Sequence, residues 1–438
     1  MEESFPFKYS LLEYLFTLLG LFFFLADIAL DIRTVVNFYQ DGAYVYMTVM
    51  IVLLLGSSVL LQVFSWLWYS DFLETKLETK VEETKLQLET KVEETKLETK
   101  LKLETKVEEF ANRNKLIKPL HFFQLGVYLR YAGVVEVSSI LCFKKPNRFT
   151  EGVAVLMNQD LQMLRFFEAF SKSAPKLILT MCKMLQSGEP ELITGLNSFS
   201  SAVSIAFTVA LYHRSMRSYL QEKHKISWIS TGVYFLWNLL LIIPRVTALA
   251  LFCSVLPCYI IAHFLSLWML LVLGVWSQKT DHMERPGWEW LFRATIGLIW
   301  YFSWFNVSTG SMKRKTVLYN AVMGLDTMIL LGFWCWKVFE FTGCWSSSNP
   351  YVVIPPLLGL HVAGILVEII YYKWFHPNCD EQKISKPSKH QKNRHHRKYY
   401  RMNAMQPVSE NRAPAQPEPE PVTGGLKRGM NMAANFYY

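Results

Sequence analysis

The feature that most constrains this chain is a series of ten long apolar segments, rich in Leu, Ile and Phe and poor in charge. About 20 such residues are enough for a helix to cross the hydrocarbon core of a bilayer. The segments are approximately 11–39, 43–69, 119–142, 160–186, 191–213, 228–255, 257–278, 288–306, 316–339 and 351–375. The first has no cleavage pattern before Gln40-Asp41-Gly42 and is expected to remain as an anchor. The sequence therefore predicts an all-α integral membrane protein.

The distribution of basic loops predicts how these segments cross the membrane. If all ten crossed, the loops 144–148 and 313–315 would lie on the side opposite the other basic loops, against the positive-inside rule. Letting 119–142 and 288–306 enter and return on the cytoplasmic face removes this conflict. We therefore expect eight transmembrane helices, two re-entrant or half-embedded segments and cytoplasmic termini. The order of elements repeats once, which predicts two related halves meeting near residue 226.

Composition divides the chain into five parts, and the two charged parts differ in character. Residues 73–118 contain a low-complexity charged insert built from units such as Leu73-Glu-Thr-Lys, whose apolar register drifts, so a solvated spacer helix is favoured over a coiled coil. Residues 379–438 form a polybasic and then Pro-rich cytoplasmic tail. The membrane parts are 1–72 with the first two spans, 119–225 with the first re-entrant segment and two spans, and 226–378 with the remainder.

The basic stretch of the tail is suited to the anionic inner leaflet, where each cation contributes about 1 kcal/mol. Its central members are Lys389, Lys392, Arg394, Arg397 and Lys398. Nucleic acid is not the expected partner, because the stretch follows a membrane helix and has no fold to present it.

Motifs of soluble enzymes do not occur in the sequence. There is no Gly-x4-Gly-Lys-Ser/Thr loop, no His-Glu-x2-His and no Gly-x-Ser-x-Gly, and the seven cysteines have no metal-type spacing. We expect no catalytic residues, no metal and no cofactor, and any transport should run downhill without ATP.

The informative residues are charges placed inside apolar segments, where each costs about 2.5–3.5 kcal/mol at the bilayer centre. Asp27 and Asp31 lie four apart, on one face of the first span, and Arg245 follows Pro244 in the middle of another. The others are Arg130, Asp160, Glu168, Arg214 and Asp326. One interpretation is that these charges form ion pairs that join helices. The other is that acids and bases line a groove and replace the hydration of a lipid head group in steps.

An aromatic cluster in Trp300-Tyr-Phe-Ser-Trp-Phe-Asn306 also has two interpretations. It is either an interfacial aromatic belt, which Trp and Tyr form at this depth, or a hydrophobic gate that includes Trp304.

Six strings of this sequence resemble the XK-related family, and most closely its apoptotic scramblases. They are Ala26-Asp-Ile-Ala-Leu-Asp31, Gln62-Val-Phe-Ser-Trp66, Asp160-Leu-Gln-Met-Leu-Arg-Phe-Phe-Glu168, Tyr234-Phe-Leu-Trp-Asn-Leu-Leu-Leu-Ile-Ile-Pro-Arg245, Tyr301-Phe-Ser-Trp-Phe-Asn-Val307 and Tyr371-Tyr-Lys-Trp-Phe-His-Pro377. The resemblance covers about residues 8–380 apart from the insert. It implies eight spans with two half-embedded segments, exposure of phosphatidylserine at the plasma membrane during apoptosis, and a single-pass immunoglobulin-type partner of the basigin or neuroplastin kind.

The resemblance also assigns roles to residues. The family's intramembrane charges match Asp27, Asp31, Arg130, Asp160, Glu168, Arg214, Arg245 and Asp326, and Tyr46 matches an aromatic gate near the outer end of the second span. Two positions depart, because Leu211 and Lys172 stand where the family resemblance leads us to expect acids. The family's caspase activation at the tail also has no standard site here, since Asp380 is the only aspartate after Pro377.

The function predicted from this sequence is bidirectional, ATP-independent scrambling of phospholipids, including phosphatidylserine, through a charged groove. Two other functions fit the same residues. A membrane scaffold or transport accessory protein would use the buried charges as ion pairs, and an ion channel would line a continuous pore with them.

Overall fold

The computed structural model describes residues 11–89, 105–143, 148–187, 192–218, 226–280, 282–283, 286–307, 312–342 and 350–376, and these form helices joined by short connections. The elements are α1 (Leu11–Gln40), α2 (Tyr44–Glu89), α3 (Lys106–Arg113), α4 (Ile117–Phe122), α5 (Gly126–Phe143), α6 (Arg148–Glu168), the π-helical segment π1 (Ala169–Ser173), α7 (Ala174–Ser187), α8 (Leu192–Ser218), α9 (Trp228–Val255), α10 (Tyr259–Ser277), α11 (Pro286–Trp300), α12 (Met312–Thr342), α13 (Pro350–Ile370) and π2 (Tyr371–Phe375). No strand occurs within these ranges. The predicted all-helical architecture is confirmed for this part of the chain.

Seven of the described helices are long and apolar enough to cross a membrane. They are Tyr44–Ser70, Gly126–Phe143, Gly195–Arg217, Trp228–Val255, Tyr259–Ser277, Arg314–Glu340 and Pro350–Phe375. This set includes Gly126–Phe143, which overlaps the first segment predicted to be re-entrant. It omits α1 and the helix formed by α6, π1 and α7, both of which carry the charged side chains described below.

The predicted segment 160–186 forms one continuous helix that widens in its middle. α6 passes without interruption into π1, and π1 passes into α7. Ser171 Oγ donates to the carbonyl oxygen of Phe167 at 2.8 Å, and Ser171 Oγ also lies 2.6 Å from Ser57 Oγ of α2. Single π turns of this kind are inserted into α-helices frequently at functional sites. Here the π turn contains Lys172, whose side chain is buried.

The second predicted re-entrant segment, 288–306, contains a helix that is short for a bilayer. α11 has 15 residues, and at 1.5 Å per residue its length is about 22 Å, below the ~30 Å of a hydrocarbon core. After Trp300 the chain is irregular, yet residues 301–307 are buried. Trp300 Nε1 donates to the carbonyl oxygen of Phe305 at 2.6 Å, and the Tyr319 hydroxyl donates to that of Trp300 at 2.7 Å. Irregular backbone is tolerated at membrane depth only where protein surrounds it in this way.

The first predicted re-entrant segment, 119–142, is divided by a turn between α4 and α5. Gln124 has a φ of 65°, which ends the helical path. The Gln62 side chain bridges the break, because its Nε2 donates to the carbonyl oxygen of Gln124 at 3.0 Å while its Oε1 accepts from the Gly126 amide at 3.0 Å. The turn is therefore fixed by a side chain of α2.

Near the charged insert, α2 continues as one helix to Glu89, and α3 begins with a capping box formed by Thr105 and Glu108. The Glu136 carboxylate of α5 accepts the amides of Lys106 and Val107 at 3.0 Å each. An acid at a helix N-terminus compensates the helix dipole and satisfies free amide groups. This contact attaches α3 to the helices of the membrane part.

An aromatic layer in the core packs α6, π1 and α8 against the irregular stretch after α11. Phe166 of α6 stacks on Tyr212 of α8 with ring centroids 4.5 Å apart, and Phe305 lies 5.2 Å from Phe166. Phe170 stacks on Phe302 at 6.0 Å. Phe302 and Phe305 belong to the irregular stretch after α11, so this stretch is packed against α6, π1 and α8.

Candidate functional site

The predicted intramembrane charges Asp27 and Asp31 both meet cations of the π1–α7 region. Lys172 Nζ lies 2.5 Å from Asp27 Oδ2 and 3.1 Å from Asp31 Oδ2. Lys176 Nζ lies 3.1 Å from Asp27 Oδ1 and also contacts Asp31 Oδ1. The two aspartates and the two lysines each lie four residues apart, so two helical faces meet across a bridge of four contacts.

Glu168 and Arg165 complete this group, which we call the N-terminal charge cluster. Glu168 Oε1 lies 2.6 Å from Lys172 Nζ, and Glu168 Oε2 accepts from Arg165 Nη1 at 2.8 Å. The guanidinium of Arg165 lies 5.2 Å from the centre of the Phe24 ring. Three carboxylates therefore face three cations, and the cluster is neutral as a whole. This neutrality is what allows six charges to be held among apolar helices.

Arg130 and Asp160 form a separate pair at the α5–α6 contact. Arg130 Nη1 lies 3.2 Å from Asp160 Oδ2, while its Nε and Nη2 donate to the hydroxyl and the carbonyl oxygen of Ser65 at 2.9 and 2.8 Å. The Ser65 hydroxyl lies 3.0 Å from His121 Nε2. These contacts join α2, α4, α5 and α6 and have the geometry of a structural tie.

Arg245 and Asp326 form the core of a second group, the C-terminal charge cluster. Arg245 Nη1 lies 2.5 Å from Asp326 Oδ2, and its Nε donates to the carbonyl oxygen of Tyr301 at 3.1 Å. His263 Nε2 lies 3.0 Å from the other oxygen of Asp326, and His263 Nδ1 lies 2.9 Å from the Tyr301 hydroxyl. The cluster thus joins α9, α10 and α12 to the irregular stretch.

The Nη2 group of Arg245 is left over, since it is buried and has no hydrogen-bond partner within the described residues. A small cavity lies beside it, lined among others by Asn238, Trp304, Asn320 and His361. Asn320 donates to Glu368 Oε2 at 2.6 Å. The surroundings of Arg245 are therefore polar on α9, α12 and α13.

A groove opens between α1, α7 and α8 beside the N-terminal charge cluster, with a volume of about 470 Å³. We call it the polar groove. Its walls carry hydroxyl, amide and charged groups, contributed by Thr34, Asn37, Asp41, Lys176, Thr180, Lys183, Ser187, Asn197, Ser198, Ser200 and Ser201. Lys183 contacts Asp41 across one end of the groove. Lys176 also lines it and belongs to the N-terminal charge cluster, so the groove leads to that cluster.

The two predicted gate residues occupy different sites. The Tyr46 hydroxyl of α2 donates to Gln186 Oε1 at 2.5 Å and lies 3.4 Å from Cys182 Sγ, both on α7. Trp304 is buried, stacks on Trp300 with centroids 4.9 Å apart and lines the cavity beside Arg245. Tyr46 is therefore placed at the end of α7, and Trp304 is placed beside the C-terminal charge cluster.

Arg214 lies apart from both clusters in its described contacts. Its Nη1 donates to the carbonyl oxygen of Ile226 at 3.0 Å, and its guanidinium lies 3.9 Å from the centre of the Trp228 ring. The predicted leaflet-contacting residues Lys389, Lys392, Arg394, Arg397 and Lys398 lie outside the described residues.

Sequence reasoning did not assign Lys176 or His263 to the site and treated Lys172 only as a departure from a family pattern. A signal for the lysines was present, because Glu168, Lys172 and Lys176 recur at intervals of four and share one helical face. For His263 no such periodicity exists, since its partner Asp326 is on another helix.

Comparison with known proteins places these helices in one family. The XK-related protein family model matches residues 15–377. XK-related protein 8 of Tetraodon nigroviridis is 36% identical over 382 residues, covering 86% of each chain. The protein of the same name from Gasterosteus aculeatus is 35% identical over 378 residues, covering 86% of this chain and 87% of the relative. That of Pan troglodytes is 33% identical over 364 residues, covering 82% and 83%. With a family model matching most of its length and relatives above 30% identity, this multi-pass membrane protein belongs to the XK-related family.

Proposed function

We propose that this protein is a phospholipid scramblase that lets head groups pass between the leaflets along the polar groove and the N-terminal charge cluster. The observation that carries the proposal is the position of Lys176, which lines the groove and also contacts Asp27 and Asp31. The groove offers space, and the cluster offers charges of both signs at its inner end.

The barrier to lipid movement is the desolvation of the head group, because polar and charged groups cost several kcal/mol or more in hydrocarbon. Hydroxyl and amide groups of the groove replace water around the phosphate and the ester oxygens. Apolar side chains stand exposed on the helices that form its walls, among them Leu30 on α1 and Leu196 and Phe199 on α8. The acyl chains can therefore remain in the bilayer while the head group moves inside the protein, and no covalent step or ATP is required.

The ion pairs of the cluster describe the resting arrangement. A lipid phosphate that reaches Lys176 replaces an aspartate as its partner, and the released carboxylate of Asp27 is free to bind the ammonium of the same or the next head group. Asp27 is the more accessible acid, with 28% of its side chain exposed against 5% for Asp31. Passage then consists of partner exchange between charges, which costs far less than exposing a bare charge to lipid.

The predicted topology completes the proposal. Eight spans, with parts of 119–142 and 288–306 half-embedded, and cytoplasmic termini place the Asp41–Lys183 end of the groove on the outer side. Arg245, whose buried Nη2 has no hydrogen-bond partner within the described residues, is then a second binding site for the phosphate, beyond the aromatic layer. The plasma membrane, phosphatidylserine exposure during apoptosis and a single-pass immunoglobulin-type partner follow from the family resemblance and belong to the same proposal.

The test is lipid movement in liposomes that contain the purified chain and fluorescent phospholipid in both leaflets. Ser201→Trp places a large ring in the groove. Phe199→Trp on the same helix enlarges a ring outside it, since Phe199 is not a groove residue and is 55% exposed. We expect the chain to expose inner-leaflet lipid to an external quencher, Ser201→Trp to slow this at least tenfold, and Phe199→Trp to leave it unchanged.

Equal scrambling rates for the two variants would show that the groove is not part of the lipid pathway. A folded chain that moves no lipid would support a scaffold or accessory protein instead, and an ionic current without lipid movement would support a channel.

A further inference from the structure

Two buried thiols lie near the end of α7 where Tyr46 binds. Cys182 of α7 and Cys253 of α9 are both free and buried, and Gln186, one turn after Cys182, donates to the carbonyl oxygen of Ser254, the residue that follows Cys253. They come from helices that pack side by side along the core. Cys182 is five residues before the end of α7 and Cys253 is two before the end of α9, so both lie within the last two turns of their helices.

The surroundings of this pair bring three helices together. The Tyr46 hydroxyl of α2 lies 3.4 Å from Cys182 Sγ and donates to Gln186 Oε1, and Gln186 Nε2 donates to the carbonyl oxygen of Ser254 at 3.0 Å. One chain of polar contacts thus joins α2, α7 and α9. The same α7 carries Lys176 and Lys183 into the polar groove.

We infer that Cys182 and Cys253 form a redox-sensitive pair whose disulfide fixes α7 to α9 and thereby immobilises one wall of the polar groove. The effect on lipid movement rests on the proposed function, and the outer location of the pair rests on the proposed topology. An outer location places the pair at the oxidising side of the membrane, where disulfides form and persist.

The chemistry balances with a peroxide as oxidant. One thiol attacks hydrogen peroxide, breaks its O–O bond and becomes a sulfenic acid while one water leaves. The sulfur of the second cysteine then attacks the sulfenic sulfur, forming the S–S bond and releasing the second water. Two protons and two electrons leave the thiols in total, and a dithiol reductant reverses the step.

The structural consequence follows from the loss of the thiol hydrogens and from the new covalent bond. The Cys182 sulfur keeps no proton to share with the Tyr46 hydroxyl, and the end of α7 can no longer move relative to α9. Because partner exchange at Lys176 requires α7 to adjust, we expect the oxidised protein to scramble lipid more slowly than the reduced protein.

The experiment uses the full chain in liposomes, treated with hydrogen peroxide or with dithiothreitol. Peptide mass spectrometry measures the link between the two cysteines, and the fluorescent-lipid assay measures the rate. We expect a Cys182–Cys253 linked peptide only after peroxide, with a rate at least threefold below that of the reduced chain. Cys182→Ala and Cys253→Ala should each lose this sensitivity, and Cys258→Ala, at an exposed thiol, should keep it.

Each outcome decides one part of the inference. Absence of the linked peptide in a folded, oxidised chain overturns the redox pair, whatever the rates are. A linked peptide with an unchanged rate in an active protein overturns the immobilised wall. A linked peptide in a chain that scrambles in neither state shows that the proposed function has failed while the thiol pair stands.

Discussion

The Lys172 ammonium lies 2.5 Å from a carboxylate oxygen of Asp27, and the same nitrogen reaches Glu168 at 2.6 Å. One cation of π1 therefore holds acids of α1 and α6 together. Its side chain is only 8% exposed, so water does not replace it when it is removed. Lys172 is one of the three cations that keep the N-terminal charge cluster neutral, and it contacts all three of the acids.

We predict that Lys172→Met destabilises the protein strongly. The substitution leaves three buried carboxylates with two cations. Removing one partner of a buried ion pair costs about 3–5 kcal/mol of stability, because the other charge stays buried and unpaired. Thermal unfolding in detergent measures the effect. Lys183→Met, which breaks the more exposed contact with Asp41, should cost about 0–1 kcal/mol. Adding Asp27→Asn to Lys172→Met should recover part of the loss, and equal unfolding temperatures for the two lysine variants would contradict the prediction.

A charge reversal at the end of the polar groove should change which lipids pass. Lys183→Glu places an acid beside Asp41, and like charges in a groove repel an anionic head group. We predict that the variant scrambles phosphatidylserine more slowly than phosphatidylcholine. The ratio of the phosphatidylserine rate to the phosphatidylcholine rate should fall at least threefold from its wild-type value. The ratio is measured with both labelled lipids in the same liposomes at low salt. Lys337→Glu on α12, outside the groove, is the control, and an unchanged ratio for Lys183→Glu would show that this end does not select lipids.

Arg245→Lys should loosen the irregular stretch after α11. A lysine cannot reproduce the separate bonds of Nε to Tyr301 and of Nη1 to Asp326 and Thr327. Losing one hydrogen bond to a charged group costs about 1.5–3 kcal/mol. We expect a lower unfolding temperature and faster proteolysis within 301–307. If the variant keeps wild-type stability and protease resistance, Arg245 does not hold this stretch in place.

Two glycines of α11 provide a matched test of helix packing. A Cβ atom at Gly297 would lie 2.6 Å from Val272 Cγ2 and 3.2 Å from the Val272 backbone nitrogen, so α10 and α11 would have to separate. Gly297→Ala should therefore cost about 1–3 kcal/mol, as overpacking usually does. Gly287 has no atom within 4 Å of such a Cβ, and Gly287→Ala should be neutral or slightly stabilising. Unfolding temperatures in detergent compare the two, and a reversed order would rule out close packing at Gly297.

The charged insert should be replaceable up to the capping box of α3. A Gly/Ser linker of equal length in place of residues 90–104 should leave scrambling unchanged, since the sequence there has the character of a spacer. Loss of scrambling from the linker variant in a folded state would assign the insert a direct role.

Glu136→Ala, in contrast, removes the acceptor of the Lys106 and Val107 amides, and we expect it to cost about 0.5–2 kcal/mol of stability, the usual range for a lost cap.

Much of the fold was open to prediction because membrane helices are encoded locally. A run of Leu, Ile and Phe long enough to span hydrocarbon specifies a helix wherever it occurs, since the backbone must satisfy its own hydrogen bonds in lipid. The helices α9, α10 and α13 follow their predicted segments within a few residues. The pairing of Asp27 with Asp31 on one face was equally local, because it needs only the 3.6-residue period.

The boundaries that differ have tertiary causes. The predicted segment 119–142 is broken at Gln124 because a side chain of α2, Gln62, satisfies the turn. The single segment 160–186 contains a π turn that brings Lys172 into the N-terminal charge cluster. Neither feature has a pattern within its own segment that predicts it.

By itself, the sequence determined that this chain is a bundle of membrane helices with costly charges inside them, because hydropathy and helical period act over neighbouring residues. Only the tertiary structure decided which acid meets which base, that Lys172 and Lys176 meet Asp27 and Asp31 while His263 and Arg245 share Asp326, and that a polar groove opens beside them. The physical reason is that ion pairs and grooves form between helices far apart in the chain. The packing of side chains in the whole bundle decides which residues meet, and no pattern among neighbouring residues contains this information.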